Sequence, residues 1–370
     1  MRPTLARINC SNLKYNYLNI RKKVKNSRIM AVVKADAYGH GMIKCVEALN
    51  SLGSRQPDYY AVSILEEAVE LRKSKVASQP VLVFDPVGYE EAEYFKEYDI
   101  IPTVFEEAHL GYLRRIPSKG GKLKVHVKID TGMGRVGVRF DEAYNFIKKI
   151  HDSREFIIDG IYTHFATSDE SDKSYAFLQL SRFNDIIERL KSDRINYGLA
   201  HASNSGAILD MPETYLDMTR PGIVLYGYYP SLETSESVRL KPVMSVVTKV
   251  TNVNLIDKGQ SVSYGRRFIA QGKTEIASVP VGYADGYVRA LSNKIFAIIK
   301  GKLCPQVGQI CMDRIMFDIT GLKVKANDEV ILLGKKNKLK IDAWDWSRAL
   351  NTIPYEITCG ISKRVPRIYM

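Results

Sequence analysis

Residues 29–41 read Ile29-Met30-Ala31-Val32-Val33-Lys34-Ala35-Asp36-Ala37-Tyr38-Gly39-His40-Gly41. The first five of these, 29–33, form an unbroken apolar run bounded by polar residues, which fits a strand buried on both faces. Such strands belong to parallel sheets covered by helices. Working outward, short apolar runs recur at 60–63, 80–84, 100–104, 124–129, 157–163, 197–201 and 222–226, which makes eight with the first. Between most of them lie about 10–20 residues with apolar positions at i, i+3 and i+4, as from Ile64 to Lys73 and from Ser174 to Lys191. Strand and helix in repeated alternation imply parallel βα units, and eight units in about 230 residues fit a (β/α)8 TIM-type barrel. An open doubly wound sheet is the alternative within the same α/β class. No G-x-G-x-x-G follows the first run, which speaks against it.

After about residue 240 the texture changes. Residues 243–256, 274–281, 295–300, 303–308, 314–319 and 329–333 read as strands, separated by turn residues such as Asp257-Lys258-Gly259 and Ala326-Asn327-Asp328. Only Ala343 to Leu350 reads as helical. The expected organisation is a barrel over 10–238 and a mainly β domain over 239–370. Residues 2–9 read as an extended strand that can join the second domain. With 370 residues, two domains are the better expectation.

The formal net charge is +13, so a nucleic-acid partner has to be weighed. Lys and Arg are spread along the chain, however, and the densest runs are as short as Arg21-Lys22-Lys23. Surface solvation is the better account, and no nucleic-acid partner is expected. Cys10, Cys45, Cys304, Cys311 and Cys359 are odd in number and none has C-x-x-C spacing. Structural zinc, a disulfide framework and metal catalysis are therefore not expected. The N-terminus from Met1 to Arg7 lacks an apolar signal core, and no run approaches the ~20 apolar residues that span a bilayer. A cytoplasmic protein without membrane contact is expected.

In a (β/α)8 barrel, chemistry sits at the C-terminal ends of the strands. Lys34 closes the first run. It can be a lysine that snorkels to water, or a desolvated amine able to attack an aldehyde. Position alone supports both. The fifth run ends in Lys128-Ile129-Asp130-Thr131-Gly132-Met133-Gly134-Arg135. The sixth ends in Thr163-His164, the seventh in His201-Ala202-Ser203-Asn204-Ser205-Gly206, and the eighth opens with Arg220-Pro221-Gly222-Ile223. The last two loops are where barrels hold phosphate, and Ser205 and Gly222 are placed for that. Arg220 alone reads equally as an arginine bonding loop carbonyls.

A-V-V-K-A-D-A-Y-G-H-G at 31–41 resembles the pyridoxal-phosphate lysine motif of the alanine racemase family. K-I-D-T-G-M-G-R at 128–135, T-H-F-A-T-S-D at 163–169, H-A-S-N-S-G at 201–206, R-P-G-I at 220–223 and V-S-Y-G at 262–265 are similar to that family as well. So are V-G-Y-A-D-G-Y at 281–287, Q-I-C-M-D at 309–313 and P-Y-E-I-T-C at 354–359. The resemblance is collinear over essentially the whole chain.

The resemblance implies pyridoxal 5′-phosphate carried on Lys34 and two-base interconversion of L- and D-alanine, with D-alanine supplied for cell-wall peptidoglycan. Lys34 is then one base and Tyr264 the other. A free tyrosine has a pKa of ~10 and needs cationic or hydrogen-bonding neighbours to act near neutrality. His164, Arg220 and His201 supply that network by resemblance. Arg220 also faces the cofactor's ring nitrogen. A guanidinium has no acceptor, so that nitrogen must accept, which weakens the ring as an electron sink and suits racemisation.

By the same resemblance Tyr38, Ser205, Tyr355 and the backbone at Gly222 and Ile223 hold the phosphate. Asn204 beside them binds cofactor or shapes the loop. Arg135 contacts the ring hydroxyl and the substrate carboxylate, which the Met312 N–H also meets. Lys128 matches a position that carries a carbamate. Tyr264, Tyr283, Cys311, Met312 and Asp313 reach the site of the other subunit of a homodimer, and Tyr355 with Tyr283 leaves room for a methyl side chain. A racemase for serine or a wider set of amino acids, a non-catalytic cofactor carrier and a decarboxylase are the alternatives. The carrier lacks a second domain, and the decarboxylase has an acidic residue where this chain has Arg220.

Overall fold

The computed structural model describes residues 2–115 and 121–370; Met1 and residues 116–120 lie outside the described residues. The chain divides into two units. One comprises Leu13–Ala37 and Met42–Lys241, the other residues 2–12, Tyr38–Gly41 and Pro242–Met370.

The first unit is built on eight parallel strands. Strand one is Arg28–Val32, two Tyr59–Val62, three Val81–Pro86, four Ile101–Val104, five Leu123–Asp130, six Phe156–Tyr162, seven Leu199–His201 and eight Met218–Thr219. They pair in sequence from one to seven, and strand eight returns to pair with strand one through Met218↔Arg28 and Thr219↔Ile29. The seam between strands seven and eight carries no ladder. It is bridged by Asp217 N–H to Ala200 O at 3.1 Å, Arg220 N–H to Ser203 O at 2.9 Å and Ala200 N–H to the Asp217 carboxylate at 2.8 Å. The eight strands thus form the nearly closed parallel barrel expected from the alternation. Helices such as Leu65–Lys73, Phe140–Ser153 and Ser174–Ser192 follow strands two, five and six.

Strand eight corrects the sequence reading. The run at 222–226 is not a strand: Ile223–Tyr226 is a fully buried 3-10 turn. The strand is the two residues before Arg220. A short apolar run has no periodicity that separates a buried strand from a buried helical turn. Arg220-Pro221-Gly222 therefore follows the strand, at the C-terminal end of the barrel.

The second unit is mainly β. A seven-stranded sheet runs in the order Lys302–Pro305, Phe296–Ile299, Glu329–Lys336, Met244–Lys249, Leu5–Ile8 and Arg367–Tyr369, with Leu339–Ile341 paired to Glu329–Lys336. Leu5–Ile8 lies in the stretch expected to be extended. It pairs antiparallel with Met244–Val247 and parallel with Arg367–Tyr369. A three-stranded sheet joins Asn252–Ile256, Thr274–Val279 and Ile315–Asp318. The expected helix Ala343–Leu350 is present and starts on Asp342, whose carboxylate accepts from Trp344 N–H and Asp345 N–H. A second helix, Pro354–Gly360, was not expected. Its Ile, Thr and Cys weigh against a helix by propensity, but Pro354 opens it at a first-turn position that needs no amide.

Candidate active site

Lys34 follows strand one, and the backbone beyond it is unusual. Ala35, Asp36, Ala37 and Tyr38 have φ of 52°, 52°, 54° and 54°, and Gly39 has 81°. The Lys34–Gly39 turn is thus left-handed through four consecutive residues that carry a Cβ. Each such residue costs ~1–2 kcal/mol, and αL residues normally occur singly. Strain of this kind persists only where surrounding structure over-determines it. The turn's own bond, Ala37 N–H to Val33 O at 2.8 Å, is one contribution. Others come from carboxylates: Glu67 accepts from Ala35 N–H, and Asp36 accepts from Met42 N–H at 2.7 Å.

Arg220 is buried and ordered by acceptors on strands six and seven. Its NH1 donates to His201 Nδ1 at 2.8 Å and His201 O at 2.9 Å. Its NH2 donates to Thr163 O at 2.6 Å and Ala202 O at 2.8 Å. Those bonds use four of the five guanidinium donors. The fifth, on Nε, enters no bond among the described residues. Arg220 does bond loop carbonyls, and it keeps one donor for an external acceptor. Burial lowers its pKa to about 10, so it remains a cation near neutral pH.

These bonds fix the protons behind Arg220. His201 Nδ1 must accept, so its proton sits on Nε2, 3.0 Å from His126 Nδ1. His126 then carries its own proton on Nε2, 3.3 Å from Asp159 Oδ2. Asp159 also accepts from Tyr59 Oη at 3.0 Å and pairs with Lys124 Nζ at 3.1 Å. Burial lowers the pKa of His201 and His126, with the Arg220 charge adding to it in both. Both rings are neutral near neutral pH. Burial pushes the Asp159 carboxyl up, but His126 and Lys124 outweigh it and the group stays an anion. Tyr162 stacks on His201 with centroids 4.9 Å apart and 8° between planes, and its hydroxyl lies 2.9 Å from Thr103 Oγ1. A Cβ at Gly160 would lie 2.7 Å from His126 Cε1, so only glycine leaves room for that ring.

None of His126, Asp159, Tyr59, Tyr162 and Thr103 was singled out from the sequence. A signal existed in Lys124-Val125-His126-Val127-Lys128. Period-two polarity in a strand whose outward face is packed against helices means a polar barrel interior.

Lys128 is buried on the same face, with Nζ 3.2 Å from Ile129 O and 5.2 Å from the centre of the Tyr162 ring. Burial, then the Arg220 charge, lowers its pKa to about 7. Arg135 sits in the loop gathered by Asp130, whose carboxylate accepts from Gly132, Gly134 and Arg135 N–H at 2.8, 3.1 and 3.2 Å. His164 is half-buried. Burial, then Arg220, Lys128, Arg135 and Lys34, holds it well below its ordinary pKa.

Ser205 opens the helix Ser205–Asp210, and its Oγ accepts from Gly222 N–H at 3.0 Å, leaving its own O–H to give. Asn204 caps that helix. Its side-chain oxygen accepts from Ala207 N–H at 3.1 Å and from Ser168 Oγ at 2.7 Å. Of the two readings left open for Asn204, the loop-forming one has the contacts.

In the second unit, Tyr38 and Tyr355 have ring centroids 5.8 Å apart. Tyr264 is 72% exposed, on a turn where Ser263 has φ 64° and donates from Oγ to Gln309 O at 2.6 Å. Tyr283 N–H meets Cys311 O at 3.0 Å and Ala284 N–H meets Met312 O at 3.2 Å. Gly282 makes that approach feasible, since its Cβ would lie 2.2 Å from Met312 O. The buried carboxylate of Asp285 closes the turn, held by Arg2 at 2.6 and 2.5 Å. Arg364 bonds Asp313 at 2.6 Å. Tyr264, Tyr283, Cys311, Met312 and Asp313 are thus tied together locally.

The barrel thus places an amine after strand one and a buried cation with one open donor after strand eight, at the end where (β/α)8 enzymes carry their chemistry. The family model described as "Alanine racemase, N-terminal domain" matches residues 8–230, and "Alanine racemase, C-terminal domain" matches residues 243–369. The chain is 43% identical to an alanine racemase of Halothermothrix orenii over 371 residues, covering 100% of this chain and 97% of that one. It is also similar to the solved alanine racemase of Clostridium difficile 630, with TM-score 0.94 and 37% identity over 100% of this chain and 96% of the other. A complex of the same C. difficile enzyme with cycloserine gives TM-score 0.92 and 36% identity, over the same shares of the two chains. This chain belongs to the alanine racemase family, a family of isomerases.

Proposed function

We propose that this protein racemises alanine on pyridoxal 5′-phosphate held by Lys34, and so supplies D-alanine for peptidoglycan in the cytoplasm. The observation that carries this reading is Arg220, with four donors satisfied by His201, Thr163 and Ala202 and the fifth open. A cation that cannot accept fits a neutral ring nitrogen, which can only accept. The side chains at the strand ends fit the rest of the cofactor, with an amine at Lys34 and an O–H left to give at Ser205 beside Gly222 and Ile223; Tyr38 and Tyr355, whose rings lie 5.8 Å apart, would add phenol donors for the phosphate. His164 lies among the same strand ends.

When bound, the cofactor supplies an electron sink that acidifies the substrate's α-C–H. The chain supplies the bases. Lys34 Nζ and Tyr264 Oη would lie on opposite faces of the α-carbon, one taking its proton and the other returning one, with the roles exchanged in the reverse direction. Arg135 and the Met312 N–H bind the substrate carboxylate. Tyr283 and Tyr355 restrict the side chain to about a methyl group. Because His201 and His126 are neutral, Arg220 is the cation at one end of its row, and Asp159, paired with Lys124, is the anion at the other.

Three measurements test this. Tyr264→Phe should abolish racemisation while leaving the yellow cofactor bound, and borohydride reduction should map the label to Lys34. Cycloserine, found in complex with the C. difficile relative, should inactivate the unmodified enzyme. A label on another lysine, or full activity in Tyr264→Phe, defeats the reading. Preferred turnover of serine or lysine would leave a racemase with a different substrate.

We also propose that Lys128 takes up carbon dioxide. A buried amine lowered to about 7 is substantially neutral, and so nucleophilic, near neutral pH. The resulting anion would offset Arg135 and Arg220. A carbamate carbon signal from 13C-bicarbonate, absent in Lys128→Arg, is expected; identical spectra would reject it.

A further inference from the structure

We infer that Glu67 is a positioning residue for Lys34: its carboxylate holds the left-handed turn from which that lysine is presented. The inference rests on the reading of Lys34 as the cofactor anchor. Glu67 lies in the first turn of the helix Leu65–Lys73, after strand two, the neighbour of strand one. Its two oxygens serve two segments. Oε1 accepts from Ala35 N–H at 2.5 Å. Oε2 accepts from Ser63 N–H at 2.9 Å and lies 3.5 Å from Ile64 N, so it reaches back to the amides that precede its own helix. One rigid helix start is thereby tied to the first strained residue after Lys34.

The physical need is specific. The first amides of a helical turn have no acceptor inside it, in either hand. A left-handed turn of residues with a Cβ is disfavoured at every step, so it needs an external acceptor at its start. Asp36, within the turn, ties it to the helix that follows, since its Oδ1 accepts from Met42 N–H, the first amide of Met42–Asn50, at 2.7 Å. A carboxylate suits the Glu67 position because both of its oxygens only accept, and its charge is favoured at a helix N-terminus. Glutamine offers one oxygen and would turn an N–H toward one of the two donors. Without the carboxylate, residues 35–38 can relax toward negative φ, which re-aims the Lys34 side chain.

The test uses the cofactor-loaded enzyme and four variants: Glu67→Gln, Glu67→Ala, Ala35→Gly, and Glu67→Ala with Ala35→Gly. Glu67→Gln and Glu67→Ala are expected to lower kcat about tenfold or more with KM little changed. They should also shift the pH midpoint of the bound cofactor's absorbance and speed amide hydrogen exchange across residues 31–41. Glycine adopts φ near +52° without a Cβ penalty. Adding Ala35→Gly to Glu67→Ala should therefore restore several-fold of the lost kcat and bring the absorbance midpoint back. A merely structural Glu67 would lower the melting temperature through its lost helix cap and leave kcat, midpoint and exchange as they were. That result, or no rescue by Ala35→Gly, overturns the inference. Failure of the Lys34 reading shows separately, as a borohydride label that persists in Lys34→Ala.

Discussion

At the scale of single residues, the row Arg220–His201–His126–Asp159 governs how the barrel responds to pH. Burial lowers both histidines, so between their folded values and the ordinary ~6.5 the unfolded chain binds more protons than the folded one. Stability on their account is present above ~6.5 and is lost as the pH falls below it. Lys128, as the unmodified amine, acts in the same direction at higher pH. The folded state gives up its proton near 7 and the unfolded chain near ~10.4, so stability rises with pH across that interval. A melting temperature that climbs from pH 5 to pH 9 is expected. His201→Gln keeps an acceptor for Arg220 and a donor for His126 but cannot titrate, so its slope between pH 5 and 6.5 should be shallower. An equal slope in the variant would mean that His201 is already protonated in the folded protein. Lys34 stood out in the sequence as a charged residue closing an apolar run, where burial is costly without a purpose, whereas Lys128 and Arg220 were marked by the family resemblance rather than by position. Asp159 was marked by neither. An aspartate inside Phe156–Tyr162 has no local mark, and its role depends on His126 and Lys124, which the fold brings to it from strand five.

At the scale of elements, the eight-unit alternation was legible because seven of the strands coincide with apolar runs. Strand eight was not, because it is two residues long and lies between Asp217 and Arg220, both of which serve the seam with strand seven. Its shortness has a physical use. Where the ladder stops after Thr219, the backbone is free to turn through Pro221 and Gly222, and Arg220 is left among carbonyls rather than within a sheet. The left-handed turn after strand one was likewise illegible. Ala35-Asp36-Ala37-Tyr38 carries no glycine, the usual sign of positive φ, and one of the bonds that hold that backbone, from Ala35 N–H, reaches the carboxylate of Glu67, thirty-two positions away. The helix Pro354–Gly360 was hidden for a related reason. Its start rests on Pro354, while its propensities favour strand. In the first two cases a tertiary partner overrides local preference, in the third a single proline does, and all three elements carry or adjoin residues of the candidate site.

At the scale of the whole molecule, the proposed bases belong to different units: Lys34 to the barrel, Tyr264 to the β unit. Tyr264 and Met312 are 72% and 52% exposed in the single chain, a poor setting for a base and a carboxylate-binding amide, since bulk water competes for both. We therefore propose a homodimer in which each active site takes Tyr264 and Met312 from the second copy. The expectation is a complementation experiment. Lys34→Ala and Tyr264→Phe should each be inactive alone. If each site draws one base from each chain, a mixed dimer holds one site with both bases intact and one with neither. Random pairing makes about half of the dimers mixed, so co-expression of the two variants should return about a quarter of the unmutated activity. Should the co-expressed pair prove as inactive as either parent while forming mixed dimers, both bases act within one chain and the shared site is wrong.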